Sequence, residues 1–275
     1  MSQNSQRQPS LFIPHGGGPC FFMDWTWGPA ETWHATQHFL EGLAATLPAR
    51  PKALLVISGH WEEPTLTVGA AAEPELIYDY SGFPAHTFQL KWPAPGNPAL
   101  AGQVARLLSQ AGLGSAFSLT RGYDHGVFVP LKVAFPDAEI PVVTLSLALT
   151  PNGQLDPAQH IAAGRALAPL RDEGLLIVGS GMSFHNLRAY LRPETSERAR
   201  EFDTWLTHAV ESPAPDRDAL LTSWRHGPFA TFAHPREEHL IPLMVAAGAG
   251  GHAPGTRIFS DEPMGAALSA YRFDG

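Results

Sequence analysis

Three histidines stand where apolar runs break off. "LFIP" (Leu11–Pro14) ends at His15 and continues as "GGGP"; "ALLVIS" (Ala53–Ser58) passes through Gly59 to His60; "LLIV" (Leu175–Val178) opens into "GSG", with His185 close behind. Imidazole is the commonest protein ligand of transition metals, and near neutral pH it is also the usual proton shuttle. One such histidine is readily explained by packing. Three, each beside glycines that let the backbone turn or come close to a bound group, point to a shared site.

A metal site needs a further ligand. "HPREEHLIPL" (His234–Leu243) offers His234, Glu237, Glu238 and His239. Its periodicity predicts a helix from Glu237 to Ala247, where neighbouring side chains point about 100° apart, so Glu238 and His239 would not easily aim at one ion. Two histidines with a carboxylate would make the facial triad of non-haem Fe(II), whereas three histidines suit zinc as readily. Glu237 is read as complementing the helix N-terminus. "RGYDHGVFVPL" (Arg121–Leu131) places His125 beside Asp124 in an expected loop, as a proton donor or as a turn former. His34, His38, His160, His208, His226 and His252 show no partner pattern, and Cys20 is read as a packed thiol.

The elements that must position these residues alternate. β-Branched runs at Leu11–Pro14, Ala53–Ser58, Thr65–Val68, Ile140–Leu147 and Leu175–Ser180 are separated by helical patterns over Glu31–Leu47, Pro98–Gln110 and Pro157–Asp172, with more helix across Glu194–Trp224. This predicts an α/β fold: one domain over residues 1–275, a central mostly parallel sheet flanked by helices, and the site beyond the strand ends. Residues 1–9 are expected to form a flexible tail. The 26 prolines and 26 glycines imply many sharp loops. A net charge of −8 without long like-charge blocks argues against nucleic acid as a partner. A single cysteine, a polar N-terminus and the lack of an apolar run of about 18 residues predict a cytoplasmic protein with no membrane partner. Trp25, Trp27 and Trp33, expected to be exposed, would mark an interface between copies of the chain or line a pocket mouth.

In order along the chain, "PHGGGP", "VISGHWE", "YDYSGFP" (Tyr78–Pro84), "PAPG" (Pro93–Gly96), "GYDHGVFVPL", "GSGMSFHN", "HPREEHLIPL" and "YRF" (Tyr271–Phe273) resemble the class III extradiol ring-cleaving dioxygenases, most closely the 4,5-DOPA extradiol dioxygenase branch. The likeness spans nearly the whole chain. It implies a mononuclear metal, normally Fe(II), with Zn(II) accommodated in some bacterial relatives, and a small catecholic substrate opened by O2 to a muconic semialdehyde. His15 and His60 match metal ligands, His239 the third with Glu238 in competition. His185 matches the active-site base or a fourth ligand, and His125 a second histidine facing substrate and oxygen. The loop Phe83–Gly96 departs from the family pattern in carrying His86 and Trp92, which bears on substrate choice if that loop lines the pocket. The residues alone also admit a zinc-dependent hydrolase, or a non-catalytic metal-binding or interaction protein on the same fold.

Overall fold

The computed structural model describes residues 7–275. The chain forms β1 (Ser10–Pro14), α1 (His34–Leu43), β2 (Ala53–Glu63), β3 (Leu66–Gly69), α2 (Pro98–Gln110), β4 (Ser115–Ser118), α3 (His125–Ala134), β5 (Val142–Ala148), α4 (Pro157–Leu167), α5 (Pro169–Asp172) and β6 (Leu175–Gly181). It continues with α6 (Thr195–Glu211), α7 (Ala214–Thr222), α8 (Ala230–Ala233), α9 (Ile241–Ala249), β7 (Thr256–Asp261) and β8 (Leu268–Phe273). The strands make one eight-stranded sheet in the order β4-β3-β5-β2-β6-β1-β8-β7. Its four central strands, β5, β2, β6 and β1, are mutually parallel, while β3 meets β5 and β8 meets β1 antiparallel. The fold is thus the expected single-domain α/β arrangement.

The central strands are buried on both faces, which is why they read as continuous apolar runs rather than as alternations. β4, β7 and β8 went unrecognised in the sequence. β7 is a half-exposed edge strand, and β8, although buried, is a short segment with little periodic signal of its own. Among the described residues, no helix is long and apolar enough to cross a membrane. Helix starts follow local chemistry: the Asn97 side chain accepts the Leu100 N–H and Asp156 accepts that of Ala158, each followed by proline at the first helical position.

Strand alternation assigns the two covering layers. Gly179 and Gly181 point to one face of β6, where an added Cβ would lie 2.3 Å from Pro242 O and 2.1 Å from His239 O. That face carries α9, which is apolar on every side and lies between the sheet and α4. Ser180 points to the other face, where its hydroxyl donates to Gly126 O at the start of α3. Its register partner on β2, Ser58, donates to Asp124 at 2.6 Å on the same side.

The expected helix over Glu237–Ala247 begins later, at Ile241, because the preceding residues form a turn. Leu240 and Ile241 both donate to Glu237 O, and Met182 N–H from the end of β6 donates to His239 O at 3.0 Å. The tail expected over residues 1–9 is shorter at its inner end. Gln8 and Pro9 are buried, and Gln8 is held by Arg171, while residues 1–6 lie outside the described residues.

A methyl group at Gly181 would collide with backbone rather than with a side chain that can rotate away. Gly181→Ala is therefore expected to lower stability by about 1–3 kcal/mol, measured by urea unfolding. Gly42→Ala, at a helical position with open space around it, is expected to leave stability unchanged or raise it by up to about 1 kcal/mol.

Candidate metal centre

The carboxyl ends of β1, β6 and β2 lie level: Pro14 pairs with Gly181, and Ser58 with Ser180. His15 follows β1 directly, and its N–H still donates to Gly181 O. His60 lies within β2 at a break in register, where β2 advances from Ile57 to Glu62 while β5 advances only from Leu145 to Leu147. The surplus residues leave the ladder, a device that re-aims side chains at strand ends. His239 arrives from the opposite direction on the turn before α9, pressed against Gly59 and Gly181.

These three imidazoles converge. His60 Nε2 lies 3.3 Å from His15 Nε2 and 3.2 Å from His239 Nε2, and all three ligand atoms fall within 4.8 Å of one another. The outer nitrogens fix the tautomers. His15 Nδ1–H donates to Gly16 O at 2.9 Å, and His239 Nδ1–H donates to Glu238 Oε1 at 2.9 Å. Both Nε2 atoms are then lone pairs, and His60 Nε2 has at most one proton to share between them. Burial and the surrounding imidazoles push His15 and His239 well below the ordinary histidine range, and bring His60 to about 3. All three are neutral at physiological pH.

A cation removes the lone-pair conflict. Nitrogens about 2.0–2.1 Å from an ion at roughly 90–110° stand about 2.8–3.4 Å apart, which is the spacing of His60 Nε2 from each of the other two. The residues therefore fit a mononuclear metal, and the hydrogen bonds behind His15 and His239 are of the kind that orient metal-bound imidazoles.

Glu238 lies behind His239 rather than among the converging nitrogens. Because the pair sits in a turn, the helical separation expected of these neighbours does not apply. Burial alone would raise the Glu238 carboxyl, but His185, 3.6 Å away, and Arg236 hold it below its ordinary value. His185 stacks on His239 with ring centroids 3.4 Å apart. It is outside the convergence of His15, His60 and His239, although it borders the cavity above them.

His125 is the first residue of α3 and not a loop residue. Its carboxylate partner is Asp79, because Asp124 is turned away and bound by Ser58 and Arg121. A single oxygen, Asp79 Oδ1, accepts the His125 backbone N–H at 2.9 Å and its ring Nδ1–H at 2.8 Å, placing an anion at a helix N-terminus as well. Burial raises the Asp79 carboxyl, but the hydrogen bonds and charge of His125 outweigh it and hold it at about 2. Asp79 was missed in the sequence reading. Its only signal there was its position within "YDYSGFP".

Other expectations change. His234 is buried away from the centre and donates from Nε2 to Ser183 O, and Glu237 accepts the Leu155 N–H and Arg225 rather than serving a helix start. His160, given no role, is fully buried and joins α4 to β5 by accepting the Ala148 N–H. Trp92 does not reach the pocket, since it is buried with its indole N–H on Phe135 O, and the exposed His86 is bonded to Phe22 O. Cys20 is buried and its Sγ accepts the Gly17 N–H, in keeping with a packed thiol. Trp25 and Trp33 are buried, and only Trp27 is exposed.

Above the imidazoles opens a cavity of about 740 Å³. His15, His60, His125 and His185 border it, and Trp25, Trp27, Trp33, Tyr80, Phe83 and Tyr190 supply aromatic walls. A mostly parallel sheet that brings imidazoles to the edge of an aromatic cavity beyond its strands has the architecture of an α/β enzyme with residues that could hold a metal. Known proteins narrow that class. The family described as the catalytic LigB subunit of aromatic ring-opening dioxygenase matches residues 9–273. The dioxygenase tasH of Hapsidospora irregularis is 36% identical over 97% of this chain and 86% of its own. The 4,5-DOPA dioxygenase extradiol of Portulaca grandiflora is 39% identical over 88% and 86%. A crystal structure of an uncharacterized Escherichia coli K12 protein superposes with a TM-score of 0.74 at 30% identity, covering 97% of this chain and all of that one. The chain belongs to the LigB family of aromatic ring-opening dioxygenases, whose members use a non-haem metal.

The Asp79 contact gives an expected outcome. Asp79→Ala strands the His125 backbone N–H and should destabilise the protein by about 1–3 kcal/mol in urea unfolding. Asp79→Asn keeps a carbonyl acceptor and should recover most of that loss. Because the folded carboxyl is held below its unfolded value near 3.8, the wild-type contribution is present above that pH and fades as pH falls toward about 2.

Proposed function

We propose that the protein opens the aromatic ring of a catechol with O2, outside the two hydroxyls, to give a muconic semialdehyde, at an Fe(II) held by His15, His60 and His239. The observation that carries this reading is the convergence of three neutral imidazoles, two of which, His15 and His60, border an aromatic cavity together with His125 and His185. His15, His60 and His239 would hold the Fe(II), which when bound would supply Lewis acidity toward the catechol oxygens and a site for O2. Three protein ligands leave positions free for both reactants, an arrangement suited to catalysis rather than to a closed structural site.

The remaining work falls to the chain. His185 has Nδ1 turned toward the Glu238 carboxylate, so its Nε2 is the nitrogen left to take a proton from a substrate hydroxyl. Stacking on His239 fixes the plane of its ring. His125 keeps Nδ1–H on Asp79, so any proton it gives to the reacting oxygen or substrate leaves from Nε2. The aromatic walls hold the ring flat and keep bulk water from the reacting atoms. Zn(II) fits the same three nitrogens, so metal identity is decided by activity rather than by geometry.

O2 uptake by protein reconstituted with Fe(II) under anaerobic conditions, then offered a set of catechols, should be matched by a yellow ring-opened product. Tight retention of Zn(II) with no uptake across the set would overturn the reading. His15→Ala and His60→Ala should lose metal and activity together, measured by metal analysis. His185→Ala should retain metal and lose about 10²- to 10⁴-fold in turnover, and metal loss in that variant would make His185 a ligand instead.

A further inference from the structure

The cavity carries information about the substituent on the substrate ring as well as about the ring itself. Its volume of about 740 Å³ is far more than a single six-membered ring fills. The wall leading outward from the histidines is a connected run of rings. Trp33 meets Trp25 edge-to-face at 5.7 Å, Trp25 lies 6.3 Å from Trp27, and Trp27 meets Tyr190 edge-to-face at 6.3 Å. Three polar atoms of these walls are already committed to backbone carbonyls, while the buried Trp33 Nε1–H has no partner among the described residues. Trp25 Nε1–H donates to Trp27 O, Tyr190 O–H to Phe184 O, and across the cavity Tyr80 O–H to Thr87 O. What they offer a ligand is mostly aromatic carbon, with the neutral Trp33 N–H and the Thr26 and Ser81 hydroxyls as uncharged polar groups.

Charge points the same way. Asp24 is the only Asp, Glu, Lys or Arg among the described residues lining the cavity. The guanidinium bonded to the His60 backbone, that of Arg121, is paired with Asp124, stacks on Trp61 and does not line the cavity. A carboxylate on the substrate ring would leave water for aromatic walls with no cation to meet it, a loss that hydrophobic contact elsewhere on the ring does not return. Trp27, 47% exposed, and Leu187, 57% exposed, both line the cavity and so form its mouth, where further apolar area is available for burial.

We infer that the substrate is a catechol bearing a bulky apolar substituent, such as a second ring, and no carboxylate, with the substituent lying along Trp25 and Trp27 toward the mouth. This rests on the catechol reading above and deepens it.

The test is anaerobic calorimetry on the Fe(II)-loaded protein with three probes: unsubstituted catechol, 4-phenylcatechol and protocatechuate. 4-Phenylcatechol should bind at least about tenfold tighter than catechol, given that a single extra methylene in a well-fitting apolar pocket commonly gives that much. Protocatechuate should bind no tighter than catechol. Trp27→Ala should narrow the phenyl preference, and Asp24→Lys should strengthen protocatechuate binding. A phenyl preference below about threefold, or protocatechuate binding tighter than catechol, would overturn the inference. O2 uptake with the same three probes reads the ring-opening reaction separately. Binding in the expected order without uptake would remove the reaction and leave the wall's selectivity standing, whereas uptake with the wrong order would do the reverse.

Discussion

Three imidazoles can share one point in this protein because a backbone turn lies directly on the ends of two buried strands. The backbone of Glu238 and His239 packs tightly on Gly59 of β2 and leaves no room for a Cβ at Gly181 of β6, and Met182 N–H donates to His239 O. Everything else in the site is referred to that contact. It brings His239 within 3.2 Å of His60, seats Glu238 behind His239, and gives His185 a ring to stack on. Replace the glycines by any larger residue and the turn lifts, and His239 lifts with it.

The result is an electrostatic arrangement that makes sense only around a cation. Burial, and then the neighbouring imidazoles, keep His15 and His239 out of their charged forms, while carboxylates stand behind the rings, Glu238 on His239 and Asp79 on His125. Negative charge is thus kept one residue back from the converging nitrogens, where it orients rings without occupying a coordination position. The same division holds for the cavity, whose floor is polar and whose walls are aromatic, so reacting atoms and substituent meet different surroundings.

Much of this was legible in the sequence because the central strands are buried on both sides and announce themselves as apolar runs, with histidines at their ends. His15 and His60 could be read from that pattern alone. The turn holding His239 could not, since its sequence has helical periodicity and the turn is imposed by contact with β6. Asp79 was illegible for a related reason: it lies 46 residues from His125 and meets it only through the packing of a loop onto α3. His234 and Trp92 show the converse error, in which a polar or aromatic residue that attracts notice turns out to be satisfied inside the fold. The edge strands β4 and β7 escaped because they are half-exposed and carry no continuous apolar run, and β8, beside β7, because Ser269 and Arg272 interrupt its apolar residues.

The wide spacing of the converging histidines along the chain has a consequence for biosynthesis. His15 leaves the ribosome long before His239, and the two become neighbours only after β2 and β6 have been laid between and beside them. Unlike a metal knuckle closed by a few consecutive residues, this constellation cannot act as a local nucleus for folding, because contacts so distant in sequence form late. A metal ion held by these three residues would therefore enter an already assembled sheet, and its capture would follow the chain's tertiary structure rather than start it.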